Sequence, residues 1–464
     1  MAIKEFAAKQ AAKQILPLVG GLSDKNLGRF LSLARKITPD EGTRSTFDAL
    51  NRLRKEQHPI VELLRRAIRQ SNPHLRQRLV NNLLIKHYWY GSVRRNELRS
   101  QGLSVPATYL ISPTMRCNRR CAGCYAGNYS MKDDLELEVI DRVLSEGEEL
   151  GIFFVTILGG EPFIRQDMWE IYKRHNDIFF QVFTNGTFVD NEVARKLAEV
   201  GNVFIIFSLE GFEEETDARR GKGIFRKVMQ GMDNLQEVGV PFGFSIMTTR
   251  RNVDTIVSDE FNDMLVEKGC LIGWHFLYIP VGLNPDTNLM PTAEQRELMR
   301  VLGARRIRNE KPLLTLDFWN DAPVVGGCIS GSRHYFHINS HGDVEPCIFI
   351  HLATDNIHDK SLREVINSPF FRGFRAHQPY GENLLRPCPI IDHPQVLREI
   401  CAEFHPYSTD APACGLIASP ISDALDKYSQ EVAKIMDTVW EREFAVRHFL
   451  PGKFVPRKVD EEKR

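Results

Sequence analysis

Three thiols stand within one short segment, MRCNRRCAGCYAG, at Cys117, Cys121 and Cys124. The C-x3-C-x2-C spacing suits a 4Fe-4S cubane, because three thiolates bind three irons and leave the fourth open to another ligand. Structural zinc asks for four ligands, usually as two separated pairs, and no fourth Cys or His lies beside this loop. Five more cysteines, Cys328, Cys347, Cys388, Cys401 and Cys414, fall toward the C-terminus. Cys270, isolated before an apolar run, reads as a small buried hydrophobe.

Other chemistry-bearing residues sit at the ends of apolar runs. Gly159-Gly160-Glu161-Pro162 can let backbone approach another group closely, although alone it is also an ordinary turn. Thr184-Asn185-Gly186 is equally well explained as a turn that uses glycine at positive φ. Ser208 and Glu210 in FSLEG end a further run, where the bland reading is a solvated strand end. Arg250 and Arg251 could pair with an anion, but most arginines at loop starts face solvent. His275 is read first as a satisfied core histidine.

Six short β-rich runs position these residues: ATYLIS (107–112), FFVTIL (153–158), IFFQVFT (178–184), VFIIFS (203–208), FGFSIM (242–247) and LIGWHF (271–276). Between them lie amphipathic stretches, one with Leu135, Val139, Ile140, Val143, Leu144 and Leu150 near helical spacing and one opening on a capping Asp190. Strand-helix-strand repetition implies parallel pairing. The fold class expected is α/β, a partial (βα)6 TIM-like barrel, with the cysteine loop on the strands' C-terminal face. A helical region (1–104) precedes the core (105–312). A cysteine-bearing domain (313–425), with two strands around Ser340-His341-Gly342-Asp343, and a helix with a charged tail (426–464) follow.

Sixty basic and sixty acidic side chains cancel, which removes the global electrostatic case for a nucleic-acid partner. No apolar run is long enough for a transmembrane segment, and MAIKEFAAKQAAKQ carries charges where a signal peptide needs an apolar stretch. The expectation is a cytoplasmic or membrane-peripheral protein whose thiols stay reduced and available to metal.

The C-x3-C-x2-C loop after the first strand of a βα series resembles the signature of the radical S-adenosylmethionine (SAM) superfamily, over about residues 105–310. The resemblance implies that SAM chelates the open iron and is cleaved reductively to a 5′-deoxyadenosyl radical that abstracts hydrogen. It also implies a reductase or flavodoxin-type electron donor. Gly159, Gly160 and Glu161 match the family's GGE motif, whose backbone meets the SAM amino group. Ser208 and Glu210 match its ribose-contacting motif, where a hydroxyl and a carboxylate suit a diol, and Asn185 would line the same pocket. The position before the third cysteine, often aromatic in that family, is Gly123 here, and Tyr125 follows Cys124.

Cys328, Gly342 and Cys347 are similar to the opening of SPASM and twitch extensions, which implies an auxiliary iron–sulfur cluster on Cys328, Cys347 and Cys388, with Cys401 or Cys414 as the fourth ligand; the alternatives are thiols that are simply buried or free and a four-thiolate structural zinc. The substrate expected is a peptide, by analogy with that group, or a lipid-like molecule, which the basic, apolar N-terminal region would suit. The alternative is an iron–sulfur redox sensor or scaffold without turnover.

Overall fold

The computed structural model describes residues 23–37, 41–127, 129, 134–410 and 413–445. The expectations for the first 22 residues, the tail RKVDEEKR and the Cys414 side chain lie outside the described residues. The N-terminal region is helical as its periodicity predicts: α1 (Asp24–Ile37), α2 (Glu41–Lys55), α3 (Pro59–Gln70) and α4 (Pro73–Leu79). The chain then runs through a wider π-type stretch, Val80–Gly91, into α5 (Ser92–Ser100). Proline at the first turn of α3 and of α4 sacrifices only an N–H that a helix start cannot use. The His58 and Asn72 side chains cap these two starts.

Seven strands follow in consecutive parallel order: β1 (Tyr109–Ile111), β2 (Phe154–Ile157), β3 (Phe179–Thr184), β4 (Val203–Leu209), β5 (Phe242–Thr248), β6 (Ile272–Leu277) and β7 (Leu314–Asp317). The six runs read from sequence are β1 to β6. The seventh, LTLD, is short and buries two polar residues, Thr315 and Asp317, at alternate positions, so its signal is weak, and its place is set by pairing with β6. The hairpin around Gly342 forms β8 (His337–Ile338) and β9 (Val344–Glu345), and β8 lies parallel beside β1. Strands from the C-terminal region thus join the sheet of the core.

Along each strand the side chains alternate. Ile157, Val182, Ile205 and Phe244 pack outward against α6 (Leu137–Glu149), α8 (Asn191–Val200), α10 (Ile224–Glu237) and α11 (Asp259–Glu267), α7 (Met168–Arg174) and α9 (Glu213–Arg220) lying between them in the chain. Thr156, Gln181, Ser245 and Trp274 face the other way, into a cavity. With both faces covered, the strands read as nearly continuous apolar runs. At the strands' N-terminal ends Leu63 of α3 packs with Phe179, Phe204 and Leu271, and Arg66 donates to the carbonyls of Pro312 and Val266. The N-terminal helices therefore cap the end of the sheet away from the cysteine loop. At the other end, α12 (Ala293–Leu298), α13 (Pro394–Phe404) and α14 (Ile421–Trp440) build a second apolar core with Tyr278, Trp319, Ile348 and Ile390.

Candidate functional site

The C-terminal ends of the strands open into a cavity of about 340 Å³ whose wall carries both sets of cysteines. Cys117, Cys121 and Cys124 line one side, and Cys328, Cys347 and Cys388 line another. Gly159, Gly160, Asn185 and Ser208 line it as well, whereas Glu161, Glu210, Cys401, Arg250 and His275 do not. Arg250 is turned to the Met290 carbonyl. His275 is a buried residue of the outward face, but neither ring nitrogen has a hydrogen-bond partner, so it is not the satisfied core histidine expected; burial pushes its imidazole down to about 3. Cys270 is fully buried, as its apolar surroundings predict.

The cysteine loop is held by backbone. Leu283 N donates to the Cys124 carbonyl at 3.0 Å, and Ala122 N to the Arg219 carbonyl at 3.2 Å. Gly123 has φ +63°, and a Cβ there would lie 2.8 Å from the Tyr278 ring. The aromatic that is missing before Cys124 is thus replaced in space by Tyr278, from the segment after β6. Asn185 Nδ2 donates to Asn118 Oδ1 at 2.9 Å and reaches Cys117 Sγ at 3.9 Å. Burial pushes the Cys117 thiol up to about 11 and raises that of Cys124, each with the neighbouring loop thiols adding to the shift. Such thiols must lose protons when metal binds.

The two glycines serve this loop directly. A Cβ on Gly159 would sit 2.3 Å from the Thr114 carbonyl, and one on Gly160 would sit 2.2 Å from the Arg116 carbonyl. Gly160 N and Glu161 N donate to those same two carbonyls at 2.9 Å. The Glu161 carboxylate is consumed inside the protein: it accepts from Thr184 Oγ1 at 2.8 Å, Asn185 N at 2.8 Å and Phe163 N at 3.2 Å. Burial outweighs these bonds and pushes it up to about 7. Glu161 therefore ties the ends of β2 and β3 together, and with its side chain withdrawn, backbone is what this segment presents to the cavity.

Ser208 pairs in register with Ser245 of β5, and both face the cavity. Glu210, one residue past β4, is 2% exposed and is clamped by Arg219 and by Arg220 Nε at 2.8 Å, all on its Oε1. Its Oε2 is buried without a partner. Arg219 and Arg220, from α9, line the cavity together with Arg119 and Arg120 of the cysteine loop. Sequence reading passed over these four; their adjacency to the FSLEG and cysteine motifs was the available signal. Among the described residues no Asp, Glu or Lys lines the cavity, and Trp274, Phe276, Phe318, Trp319 and Tyr335 form an aromatic wall. Trp274 and Phe318 stack with centroids 5.3 Å apart.

The second set is drawn from separate segments. Cys347 follows β9, while Cys328 and Cys388 come from loops. Tyr335 joins them: its hydroxyl is 2.9 Å from Cys347 Sγ, and burial together with the thiols of all three raises its pKa. Cys328 Sγ lies 3.1 Å from Ser330 Oγ. Asp392 fixes the Cys388 loop by accepting from Cys388 N at 3.0 Å, and is itself held by Arg296 of α12. Burial pushes Cys347 up to about 12. Cys401 lies on α13, half-buried against the second core.

Among the described residues no three His, Cys, Asp or Glu converge on a point that one metal ion would fill. A cubane sets no such requirement, since each thiolate binds a different iron. Both thiol sets, half-buried to buried and lining one cavity, fit cluster binding.

Comparison with known proteins agrees with this geometry. The family model of the radical SAM superfamily matches residues 111–258, and that of an iron–sulfur cluster-binding domain, SPASM, matches residues 328–389. Mycofactocin maturase MftC of Mycolicibacterium smegmatis is 32% identical over 305 residues, spanning 62% of this chain and 74% of that protein. Fe-coproporphyrin III synthase of Methanosarcina barkeri is 31% identical over 226 residues, spanning 46% of this chain and 56% of that one. Streptococcus suis SuiB bound to precursor peptide SuiA shares the fold with a TM-score of 0.54 at 19% identity, covering 64% of this chain and 74% of SuiB.

Proposed function

Because the chain belongs to the radical SAM superfamily and carries a SPASM iron–sulfur domain, we propose that this cavity joins SAM chemistry at Cys117, Cys121 and Cys124 to an auxiliary cluster on Cys328, Cys347 and Cys388. The enzyme uses SAM at a 4Fe-4S cluster, as its family does. The observation that carries the assignment of ligands is that both thiol sets line one cavity. When bound, the reduced cluster supplies the electron that cleaves SAM and hence the radical that takes a hydrogen atom from substrate.

This chain's residues bind and orient. Backbone at Gly159 and Gly160 receives the amino group of SAM, Arg219 and Arg220 favour its carboxylate side of the cavity, and Ser208 meets the ribose diol, with Glu210 behind the wall acting through the two arginines that it holds. Asn185 steadies Cys117. Aromatic side chains exclude water from the reacting space. Cys401 or Cys414 completes the auxiliary ligand set.

The substrate proposed is a peptide, in line with relatives whose names include a maturase, with an apolar or aromatic moiety entering beside the aromatic wall of the cavity. A lipid-like substrate is the second reading, and the aromatic wall is the observation that favours it. A reductase or flavodoxin-type protein would donate the electron. No helix among the described residues is long and apolar enough to cross a membrane, and a cytoplasmic or membrane-peripheral setting is part of the proposal. The test is 5′-deoxyadenosine release from SAM by anaerobically reconstituted, reduced protein: release is expected from the parent and none from Cys117→Ala/Cys121→Ala/Cys124→Ala. Release that persisted in the triple variant would overturn the ligand assignment.

A further inference from the structure

Ser112 precedes Cys117 by five residues and Tyr129 follows Cys124 by five, and both are tied to one carboxylate of the C-terminal hairpin. Ser112 Oγ is 2.7 Å from His337 Nε2, and His337 Nδ1 is 2.6 Å from Glu345 Oε2. The Tyr129 hydroxyl donates to Glu345 Oε1 at 2.6 Å, and the Thr409 hydroxyl donates to the same oxygen. Ser112, His337 and Glu345 are fully buried, and Tyr129 is 4% exposed. A carboxylate only accepts, so His337 Nδ1–H donates to Glu345 and Nε2 faces the serine.

The order Ser-His-Glu is that of a hydrolytic relay. Here it has no access to substrate: Ser112 is buried and absent from the cavity wall. What the network does instead is mechanical. It fastens both flanks of the cysteine loop to β8 and β9, and Glu345 stands two residues before Cys347. One buried acceptor thus holds one cysteine set and begins the segment that bears the other. Fully satisfied buried networks of this kind rigidify what they connect.

We propose that Glu345 is a positioning residue that keeps the Cys117–Cys124 loop and Cys347 in one rigid frame, so that the two cysteine sets hold their spacing across the cavity. This rests on the reading that the loop carries the SAM-binding cluster. Replacing the carboxylate by the isosteric amide, Glu345→Gln, presents a donor where an acceptor is needed. Tyr129→Phe removes one bond of the same carboxylate and leaves the rest of the network in place.

The experiment uses the full chain with both clusters reconstituted, and reads iron content, the electron paramagnetic resonance spectrum of the reduced protein with and without SAM, and the SAM dissociation constant. In Glu345→Gln the constant is expected to rise about tenfold, and in Tyr129→Phe roughly threefold, as the loss of buried hydrogen bonds allows. The SAM-induced spectral change should shrink in both. The double variant should be no weaker than Glu345→Gln alone, because the two changes remove a shared contact. Parent-like affinity and spectra in Glu345→Gln would overturn the proposal, as would additive effects in the double variant. Should Glu345→Gln fail to fold, Tyr129→Phe decides by the same criteria. If the parent itself neither bound nor cleaved SAM, the functional reading would fail, a result distinct from failure of the positioning role.

Discussion

The two cysteine sets reach one cavity by opposite routes. Cys117, Cys121 and Cys124 come from a single loop between β1 and α6, held by backbone bonds to Arg219 and Leu283 and by glycines that let the loop after β2 pack against it. Cys328, Cys347 and Cys388 come from three segments, brought together by β8 pairing with β1, by Tyr335, and by an ion pair between Arg296 and Asp392 that joins α12 to the Cys388 loop. A site built within one loop depends on that loop. A site drawn from three segments depends on the packing of everything between them.

The largest expected effect separates the sets outright. In the Cys117→Ala/Cys121→Ala/Cys124→Ala protein, iron and sulfide analysis should find about four irons per chain remaining, those of one cubane. Loss of all iron would show that the second set cannot assemble without the first.

Next in size is the dispersed site's ion pair. Arg296 and Asp392 are 3% and 0% exposed, and stranding one charge of a buried pair costs about 3–5 kcal/mol. Arg296→Leu should lower the thermal unfolding midpoint and deplete iron from the auxiliary site, with SAM cleavage at the first set retained in the protein that stays folded. Equal loss of iron from both sites would break the contrast.

A smaller effect is expected at the edge of the first site. Glu210→Ala frees Arg219 and Arg220 and removes a buried acceptor, and SAM binding should weaken by about 1.5–3 kcal/mol with the cluster signal intact. Titration calorimetry showing unchanged affinity would remove Glu210 from the site.

The smallest lies far from both sets. His175 bridges Glu148 at 2.8 Å and Asp141 at 2.9 Å, pinning the end of α7 to α6. Burial lowers its pKa, but the bonds to these carboxylates outweigh burial and the net shift is upward. A raised folded-state pKa contributes stability that is fully present below the unfolded value, near 6.5, and is lost as pH rises through the folded value. Urea unfolding should therefore show the parent's advantage over His175→Gln shrinking as pH is raised from about 6 to 9. An advantage that grew with pH would reverse the sign and refute the ion pair.

Much of the fold was legible because its signals are short-range. β1 to β6 are apolar β-rich runs, the start of α8 is capped by Asp190, and the hairpin turn carries Gly342 at φ +80°. The first cysteine set was legible for the same reason, since the whole motif lies in one loop whose spacing states its chemistry. The motif residues Glu161 and Glu210 were found, but not their use: the first carboxylate braces β2 to β3, and the second is half spent on two arginines.

The sequence alone determined the cysteine loop, the strand rhythm and the strand ends that bear the GGE and SLEG motifs, because each is encoded by residues close together along the chain. Only the tertiary structure decided that β8 lies beside β1, that Cys328, Cys347 and Cys388 line the same cavity as Cys117, and that Ser112 meets His337 over a separation of 225 residues. Pairings of that kind are chosen by burial and by the satisfaction of polar groups in the assembled core. Neither quantity is a property of any local segment.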